Sequence, residues 1–188
     1  MADNLEQMPE LALEWHRAGK GAVVATVVET WGSAPRAVGA QMVVSGEGEM
    51  EGSVSGGCVE GAVVAEAMEL VGSGTAKLLE FGVSDDEAFA VGLACGGRIR
   101  VLVEPVGGAL PVALLEELVA ARAARRPVAY VADLEGDARR LDGPEAWADR
   151  FRMDRSGVEE DGRSFVHVHN PPLRMVIVGA VHIAQALV

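Results

Sequence analysis

Residues 22–30 restrict the fold more than any other segment of this sequence, because they are mostly apolar and β-branched. Such a run is typical of a strand that is covered on both faces. Two amphipathic segments flank it. Residues 4–20 have apolar side chains at helical spacing with Pro9 near the first turn, and residues 58–71 alternate apolar side chains with glutamates. The pattern predicts an α/β fold in which helices flank a mixed sheet.

The rest of the chain continues to alternate strands and helices, and it divides into three predicted segments. Residues 1–106 form a first module, residues 107–170 form an α/β extension, and residues 171–188 contain the first strand and helix start of a truncated Rossmann-type unit. Within these segments we expect a helix after Pro111 and a hairpin formed by residues 41–45 and 52–55. Further strands are expected at residues 75–82, 98–106, 128–134, 138–141 and 164–169.

Composition excludes several classes of protein. The chain has 188 residues with 16 basic and 28 acidic side chains, a net charge of −12, which makes nucleic acid an unfavourable partner. We expect no membrane span, because no apolar run approaches the roughly 18 residues required. The acidic first 20 residues do not resemble a secretory signal, so a cytoplasmic protein is expected. Two cysteines are too few for a disulfide scaffold or a self-contained zinc site.

The strongest local signal is the Gly-Gly-Cys sequence within residues 52–61. A predicted strand passes through Gly56 and Gly57 into a helix whose first turn contains Cys58. The free N–H groups of a helix N-terminus can bind a phosphate, and their partial positive charge can activate a thiol. The alternative is a tight turn with a buried cysteine that acts as a small apolar side chain.

Two further loops carry related residues. Residues 92–97 reverse the pattern as Cys95-Gly96-Gly97, and residues 30–36 offer Arg36 as a bidentate phosphate ligand or form an ordinary loop. Paired thiols could hold a soft metal or a sulfur-containing cofactor, accept a persulfide or form a disulfide. Since each loop lies at the end of a predicted strand, we expect the three loops to converge on one pocket.

These three loops, together with Phe81-Gly82-Val83 and Val103-Glu104-Pro105, resemble the N-terminal domain of the XdhC/CoxI family of molybdoenzyme maturation factors. Residues 172–188 are similar to the start of that family's Rossmann domain. The resemblance implies an accessory factor more than a catalyst. Such a factor binds molybdenum cofactor, protects it during sulfuration and assists its insertion into a xanthine dehydrogenase or carbon monoxide dehydrogenase type enzyme.

The resemblance also implies site residues and partners. Cys58 and Cys95 are assigned to the metal or sulfur end of the cofactor, and Gly56, Gly57 and Arg36 to its phosphate or pterin edge, with no metal bound by protein ligands alone. The cofactor is molybdopterin or a dinucleotide form. The partners are a client molybdoenzyme, a cysteine desulfurase and a second copy of the chain. The implied cofactor-binding residues are Ser33, Pro35, Arg36, Ser55, Gly56, Gly57, Cys58, Glu60, Cys95, Gly96 and Gly97.

Two other features suggest weaker alternatives. Residues 173–184 outline a nucleotide-binding turn, but Val181 replaces a glycine and the unit is incomplete, so NAD binding is not expected. A nucleotide-dependent oxidoreductase fragment and a partner-binding module without ligand remain as alternatives. His167 and His169 lie on one face of a predicted strand, an arrangement that could bind zinc. The favoured interpretation is that both histidines are polar residues at the protein surface.

Overall fold

A computed structural model describes residues 7–32, 34–82 and 97–173. The first half of the chain forms a five-stranded sheet whose strands follow the order β3-β2-β1-β5-β4. The chain enters it through helix α1, Met8–Arg17, which has Pro9 in its first turn as predicted. The strands are β1 Val23–Trp31, β2 Gln41–Val44, β3 Met50–Gly52, β4 Lys77–Phe81 and β5 Arg98–Pro105. Helix α2, Glu60–Leu70, connects the two edge strands, β3 and β4, across one face.

The second half of the chain forms a smaller sheet with the strand order β7-β6-β9-β8. Helix α3, Val112–Ala123, precedes this sheet, and the short helix α4, Ala148–Met153, lies between β7 and β8. The strands are β6 Val128–Asp133, β7 Arg139–Asp142, β8 Gly157–Val158 and β9 Ser164–His169.

The predicted α/β class is confirmed, with helices beside sheets. The sheets differ from the expected mixed sheet, because the strand pairs of the described residues are antiparallel and are divided between two sheets. A parallel pair would require a crossover between neighbouring strands, whereas α2 joins strands at opposite edges of the first sheet. Residues 174–188 of the predicted Rossmann-type unit, which was expected at 171–188, lie outside the described residues, and the three segment boundaries stay predictions.

Both faces of β1 are covered, as its sequence predicts. On one face Val23, Ala25 and Val27 pack beneath α2 with Val63 and Ala67. The other face belongs to a larger cluster that joins the two sheets to α1 and α3, and it includes Val24, Val28, Leu13, Leu115, Tyr130 and Phe165. This shared core explains why β1 has no polar face, since alternate residues enter different apolar clusters.

A buried ion pair links the two sheets beside this core. The Glu104 carboxylate on β5 accepts hydrogen bonds from the Tyr130 hydroxyl, at 2.8 Å, and from Nε of Arg139 on β7. Nη1 of Arg139 also donates to the carbonyl of Asp133 at 2.9 Å. Burial raises the pKa of Glu104, although Arg139 opposes that effect. The position of Glu104 therefore makes it a structural link between β5, β6 and β7.

Candidate functional site

Strand direction brings the predicted loops to one end of the first sheet. Trp31, at the end of β1, pairs with Arg98, at the start of β5. On the neighbouring strands, Met42 pairs with Gly52 and Phe81 pairs with Ile99, so β3 and β4 finish toward the same end. The loops that leave β1, β3 and β4 therefore emerge side by side.

Contacts between these loops are close in the described residues. A Cβ atom placed on Gly56 would lie 3.5 Å from Cβ of Pro35, and one placed on Gly32 would lie 3.6 Å from Cα of Gly97. The loop after β1 thus touches both of the glycine-containing loops. Ser33, Cys95 and Gly96 lie outside the described residues, so the meeting of the two cysteines stays a prediction.

The loop that contains Cys58 is built around a buried carboxylate. Glu60, the first residue of α2, is 5% exposed. Its Oε1 accepts hydrogen bonds from the Ser53 hydroxyl at 2.7 Å and from the N–H groups of Val54 at 3.2 Å and Ser55 at 2.8 Å. Its Oε2 accepts from the Ser55 hydroxyl and from the N–H of Gly57 at 2.9 Å. The loop therefore folds around the Glu60 side chain.

Two serine hydroxyls complete this arrangement. Ser55 Oγ accepts the N–H groups of Cys58 and Val59, each at 2.9 Å, and Ser53 Oγ accepts the N–H of Gly56 at 2.9 Å. The Ser55 side chain therefore pairs the two N–H groups that directly precede α2, whose N-cap residue, Val59, makes no side-chain cap hydrogen bond.

This geometry corrects two expectations about the Gly-Gly-Cys loop. The N–H groups of Gly56 and Gly57 do not converge on an external anion, because Ser53 and Glu60 already accept them. In addition, α2 begins at Glu60, so Cys58 precedes the helix and does not lie in its first turn. The loop therefore closes on an internal anion, because the Glu60 carboxylate accepts N–H groups that precede its own helix.

The hydrogen bonds to Glu60 control its ionisation. Burial alone would raise the pKa of this carboxyl, but hydrogen bonds from Ser55 and Ser53 outweigh burial and lower the pKa from 4.5 to about 2. Glu60 is therefore an anion at neutral pH, and it holds the loop as an acceptor of hydrogen bonds.

The outer surface of this loop is accessible around Cys58. The thiol is free and half-buried, and its side chain packs against the apolar cluster under α2. Gly56 and Gly57 are exposed with φ of +76° and +110°, and no atom lies within 4 Å of a Cβ placed on Gly57. Because these glycines have no side chains, a ligand can approach the loop backbone beside Cys58.

An exposed aromatic ring lies at the same end of the sheet. Trp31 is 45% exposed, and the guanidinium carbon of Arg98 lies 5.9 Å from the centre of its ring. Trp31 directly precedes Gly32, the residue that contacts Gly97. A planar ligand could therefore stack on Trp31 beside the converging loops.

A cavity adjoins the loops on the side of the second sheet. Its volume is about 950 Å³, and Pro35 and Arg36 line it together with residues from the end of β9. Those residues include His167 and His169, which are only 6% and 7% exposed. The expectation that they are surface residues is wrong, because the loop after β1 covers them: a Cβ on Gly39 would lie 3.1 Å from Nε2 of His167.

Burial keeps both histidines neutral. Desolvation, reinforced by the Arg122 charge, lowers the pKa of His167 from 6.5 to about 4. Desolvation followed by the effects of His167 and Arg122 lowers the pKa of His169 well below its ordinary value. Their ring centres are 4.1 Å apart. The sequence did contain a signal for this burial, since Phe165, fully buried on the same strand, shares their face.

The described residues contain no group of three or more His, Cys, Asp or Glu side chains that could hold a metal ion, so within this part of the chain the two histidines have no third ligand for zinc. In the same part of the chain, no helix has the length and apolarity needed to cross a membrane.

Comparison with known proteins finds a matching sequence pattern in the part of the chain that contains the loop after β1 and the Gly-Gly-Cys loop. Residues 15–82 match the model of the XdhC and CoxI family, which confirms the predicted resemblance. The chain is 40% identical over 112 residues to the molybdenum cofactor insertion chaperone PaoD of Escherichia coli K12, covering 60% of this chain and 35% of that protein. It is 37% identical over 87 residues to a probable subunit of xanthine dehydrogenase from Bacillus subtilis 168, covering 45% and 26%. The chain thus spans about a third or less of these curated relatives.

The fold also occurs in a solved structure. A crystal structure described as a xanthine dehydrogenase from Bacillus halodurans superposes with a TM-score of 0.64 at 24% identity, over 87% of this chain and 53% of that one. This likeness supports the overall fold.

Proposed function

Because this chain carries the XdhC and CoxI family sequence at residues 15–82, we propose that it binds molybdenum cofactor as cargo and assists its insertion into a client molybdoenzyme. One observation carries the proposal: the loop with Pro35 and Arg36 lies against the Gly-Gly-Cys loop at one end of the sheet, with a cavity of about 950 Å³ beside them. A cavity of this size matches those that hold small organic molecules.

The residues present suit the three chemical parts of the cargo, which are a planar pterin, a phosphate and a molybdenum centre bound by sulfur. Cys58 offers a free thiol beside an exposed backbone, suited to the metal or sulfur end. The indole of Trp31 offers a flat exposed face for the pterin. Arg36 lines the cavity, and its Nε is buried without a hydrogen-bond partner among the described residues.

Glu60 and Ser55 have an indirect role in this proposal. Their side chains are occupied by hydrogen bonds within the loop, so they shape the surface that presents Cys58 and do not contact the cargo themselves. Cys95 and Gly96 belong to the proposed site through the family resemblance. Gly97 lies beside Gly32, and it marks where their loop approaches the site.

The proposal extends to the handling of the cargo. The chain protects molybdopterin, or its dinucleotide form, while a cysteine desulfurase supplies the terminal sulfur. It then delivers the cofactor to a xanthine dehydrogenase or carbon monoxide dehydrogenase type enzyme in the cytoplasm. Residues 171–188 pair two copies of the chain into a homodimer. The names of the two curated relatives, one a cofactor insertion chaperone and the other part of a xanthine dehydrogenase, support this direction.

A co-purification experiment tests the proposal. The full chain is expressed in a host that makes molybdenum cofactor, and pterin per protein is measured by the fluorescence of the oxidised cofactor. We expect cofactor near one equivalent in the wild type and a loss of at least fivefold in Cys58→Ala. Met68→Ala changes an exposed residue of α2 away from the loops and should retain the wild-type content. A cofactor content in the purified wild type no higher than the background of the assay would refute the proposal.

A further inference from the structure

The cavity beside Arg36 has a composition unlike that of the rest of the protein. The chain carries a net charge of −12, yet Arg36, Arg122 and Arg152 line this cavity with Asp154 as the one acidic side chain among its described lining residues. Asp154 accepts a hydrogen bond from Nδ2 of Asn170 at 2.8 Å. Three of the four described charged residues that line this cavity are therefore arginines, although the chain as a whole is acidic.

The three arginines differ in their partners. Nε of Arg122 donates to Glu10 at 2.7 Å, and the exposed Arg152 pairs with Asp149 at 3.0 Å. Arg36 forms no ion pair within the described residues, and its buried Nε has no hydrogen-bond partner there. Since an arginine side chain is always protonated, Arg36 brings an uncompensated cation to the cavity.

A histidine adds a second unpaired donor. Nη1 of Arg122 lies 2.9 Å from Nδ1 of His169. Because a guanidinium can only donate, Nδ1 must accept, and the ring hydrogen of neutral His169 is then on Nε2. That Nε2 is buried and lacks a partner among the described residues, as does Nδ1 of neighbouring His167.

Unpaired buried donors of this kind indicate a missing acceptor. Buried polar groups in folded proteins are nearly always paired, because an unmade hydrogen bond is costly. Two donors, Nε–H of Arg36 and Nε2–H of His169, belong to side chains that line one cavity large enough for an organic ligand. An anion bound in this cavity would balance the charge of Arg36, and its acceptor oxygens are of the kind that such donors require.

We propose that this cavity binds the phosphate group of a phosphate-bearing small molecule, with Arg36 and His169 as the donors. The choice of ligand rests on the proposed function, in which the cargo carries a phosphate at one end. Pro35 lines the cavity and also lies next to Gly56, so one elongated ligand can extend from the cavity to the loop of Cys58. The phosphate end then occupies the cavity and the metal end lies toward the thiol.

Titration of the full chain with inorganic phosphate tests the site directly, by calorimetry at pH 7 and constant ionic strength. We expect saturable binding at one site, weakened at least tenfold in Arg36→Gln and partly restored in Arg36→Lys. The matched control is Arg140→Gln, an exposed arginine on β7 that pairs with Asp142. Non-saturable binding, or equal effects of Arg36→Gln and Arg140→Gln, would overturn the proposal.

His169→Leu provides a second variant, because leucine has a similar volume and no N–H donor. We expect an intermediate loss of phosphate affinity with a folded circular dichroism spectrum. Wild-type phosphate affinity in this variant would exclude His169 as a donor and overturn its assignment.

A second arm separates free phosphate from the phosphate of the cargo. Apo-protein is mixed with molybdopterin and with the same pterin after phosphatase treatment, and retention is measured by gel filtration. Weaker retention of the dephosphorylated pterin supports the site, whereas equal retention refutes the assignment of the cavity to the cargo. Phosphate binding without any pterin retention would refute the proposed function and leave the anion site standing.

Discussion

The Glu60 loop and the Arg36 cavity lie at the same end of the molecule, yet they differ in whether their buried polar groups have hydrogen-bond partners. Around Glu60, hydroxyl and N–H donors from Ser53, Ser55 and Gly57 all reach one carboxylate. In the cavity, donors of Arg36 and His169 are buried without an acceptor in the described residues. The first region is complete as folded, and the second becomes complete only with a ligand. Loss of Glu60 should therefore affect stability, whereas loss of Arg36 should affect binding.

Replacement of Glu60 by alanine should have the largest effect. Glu60→Ala leaves the two serine hydroxyls and three loop N–H groups without their acceptor, and we expect a loss of about 4 kcal/mol in the free energy of unfolding. Glu60→Gln keeps one acceptor oxygen and should lose less. Urea unfolding measures both.

The same substitution should expose Cys58. As the loop opens in Glu60→Ala, alkylation of Cys58 should become faster than in the wild type, measured by mass spectrometry of the modified peptide. Unchanged stability together with an unchanged alkylation rate would show that the carboxylate does not hold the loop.

Acid titration should separate the two regions by pH. The folded pKa of His167, about 4, is below its ordinary value of 6.5, so between these values the unfolded chain binds more protons and stability falls as pH decreases. Glu60 has a folded pKa of about 2 against 4.5, so its contribution is lost between pH 4.5 and 2. His167 and Glu60 each contribute about 3 kcal/mol across their windows, and His169, whose pKa is also lowered by burial, adds to the upper window. Urea unfolding at steps from pH 7 to 3 measures the profile.

Variants assign each window to its residue. His167→Gln should flatten the decline between pH 6.5 and 4, and Glu60→Gln should flatten the decline below pH 4.5. If His167→Gln retains the wild-type slope in the upper window, the buried neutral histidine is not the source of the acid sensitivity.

Phosphate should stabilise the cavity region and depend on Arg36. At a concentration one hundred times its dissociation constant, a ligand that binds only the folded state adds about 2.7 kcal/mol. We expect the corresponding rise in Tm in the wild type and in Arg140→Gln, and at most about half of that rise in Arg36→Gln, whose phosphate affinity should be at least tenfold weaker. An equal rise in all three proteins would mean that phosphate stabilises the protein without binding at Arg36.

The contrast also shows which parts of this molecule could be predicted from its sequence. Most of the strands follow from local patterns, so β9 was expected at residues 164–169 and is observed there. The strand expected at residues 52–55 is wrong, because β3 is Met50–Gly52 and the chain then turns into the Glu60 loop. The position of the Cys58 loop was predicted correctly, but the hydrogen bonds inside the loop were not. A carboxylate of the helix itself accepts the N–H groups, and only the three-dimensional path of the loop shows this.

Contacts between distant segments account for the remaining differences. The covering of His167 depends on Gly39, and the burial of Glu104 depends on Arg139, 35 positions later. Polar residues at the end of a strand look exposed when the strand is considered alone. They become buried when a loop of the other sheet packs over them, which neither periodicity nor composition records.

Two glycines close to Glu60 should respond to alanine with small effects of opposite sign. Gly57 has φ of +110°, so Gly57→Ala should cost about 1 kcal/mol from backbone strain, although no atom lies within 4 Å of the new methyl group. Gly61 is helical, in the first turn of α2, with equally open surroundings, and Gly61→Ala should add about 0.5 kcal/mol because alanine favours the helix. Both substitutions add the same methyl group to an exposed position. The difference between their effects on the free energy of unfolding therefore reports the effect of backbone conformation alone. Shifts of the urea midpoint in the same direction would mean that the loop does not maintain the left-handed geometry that its hydrogen bonds to Glu60 require.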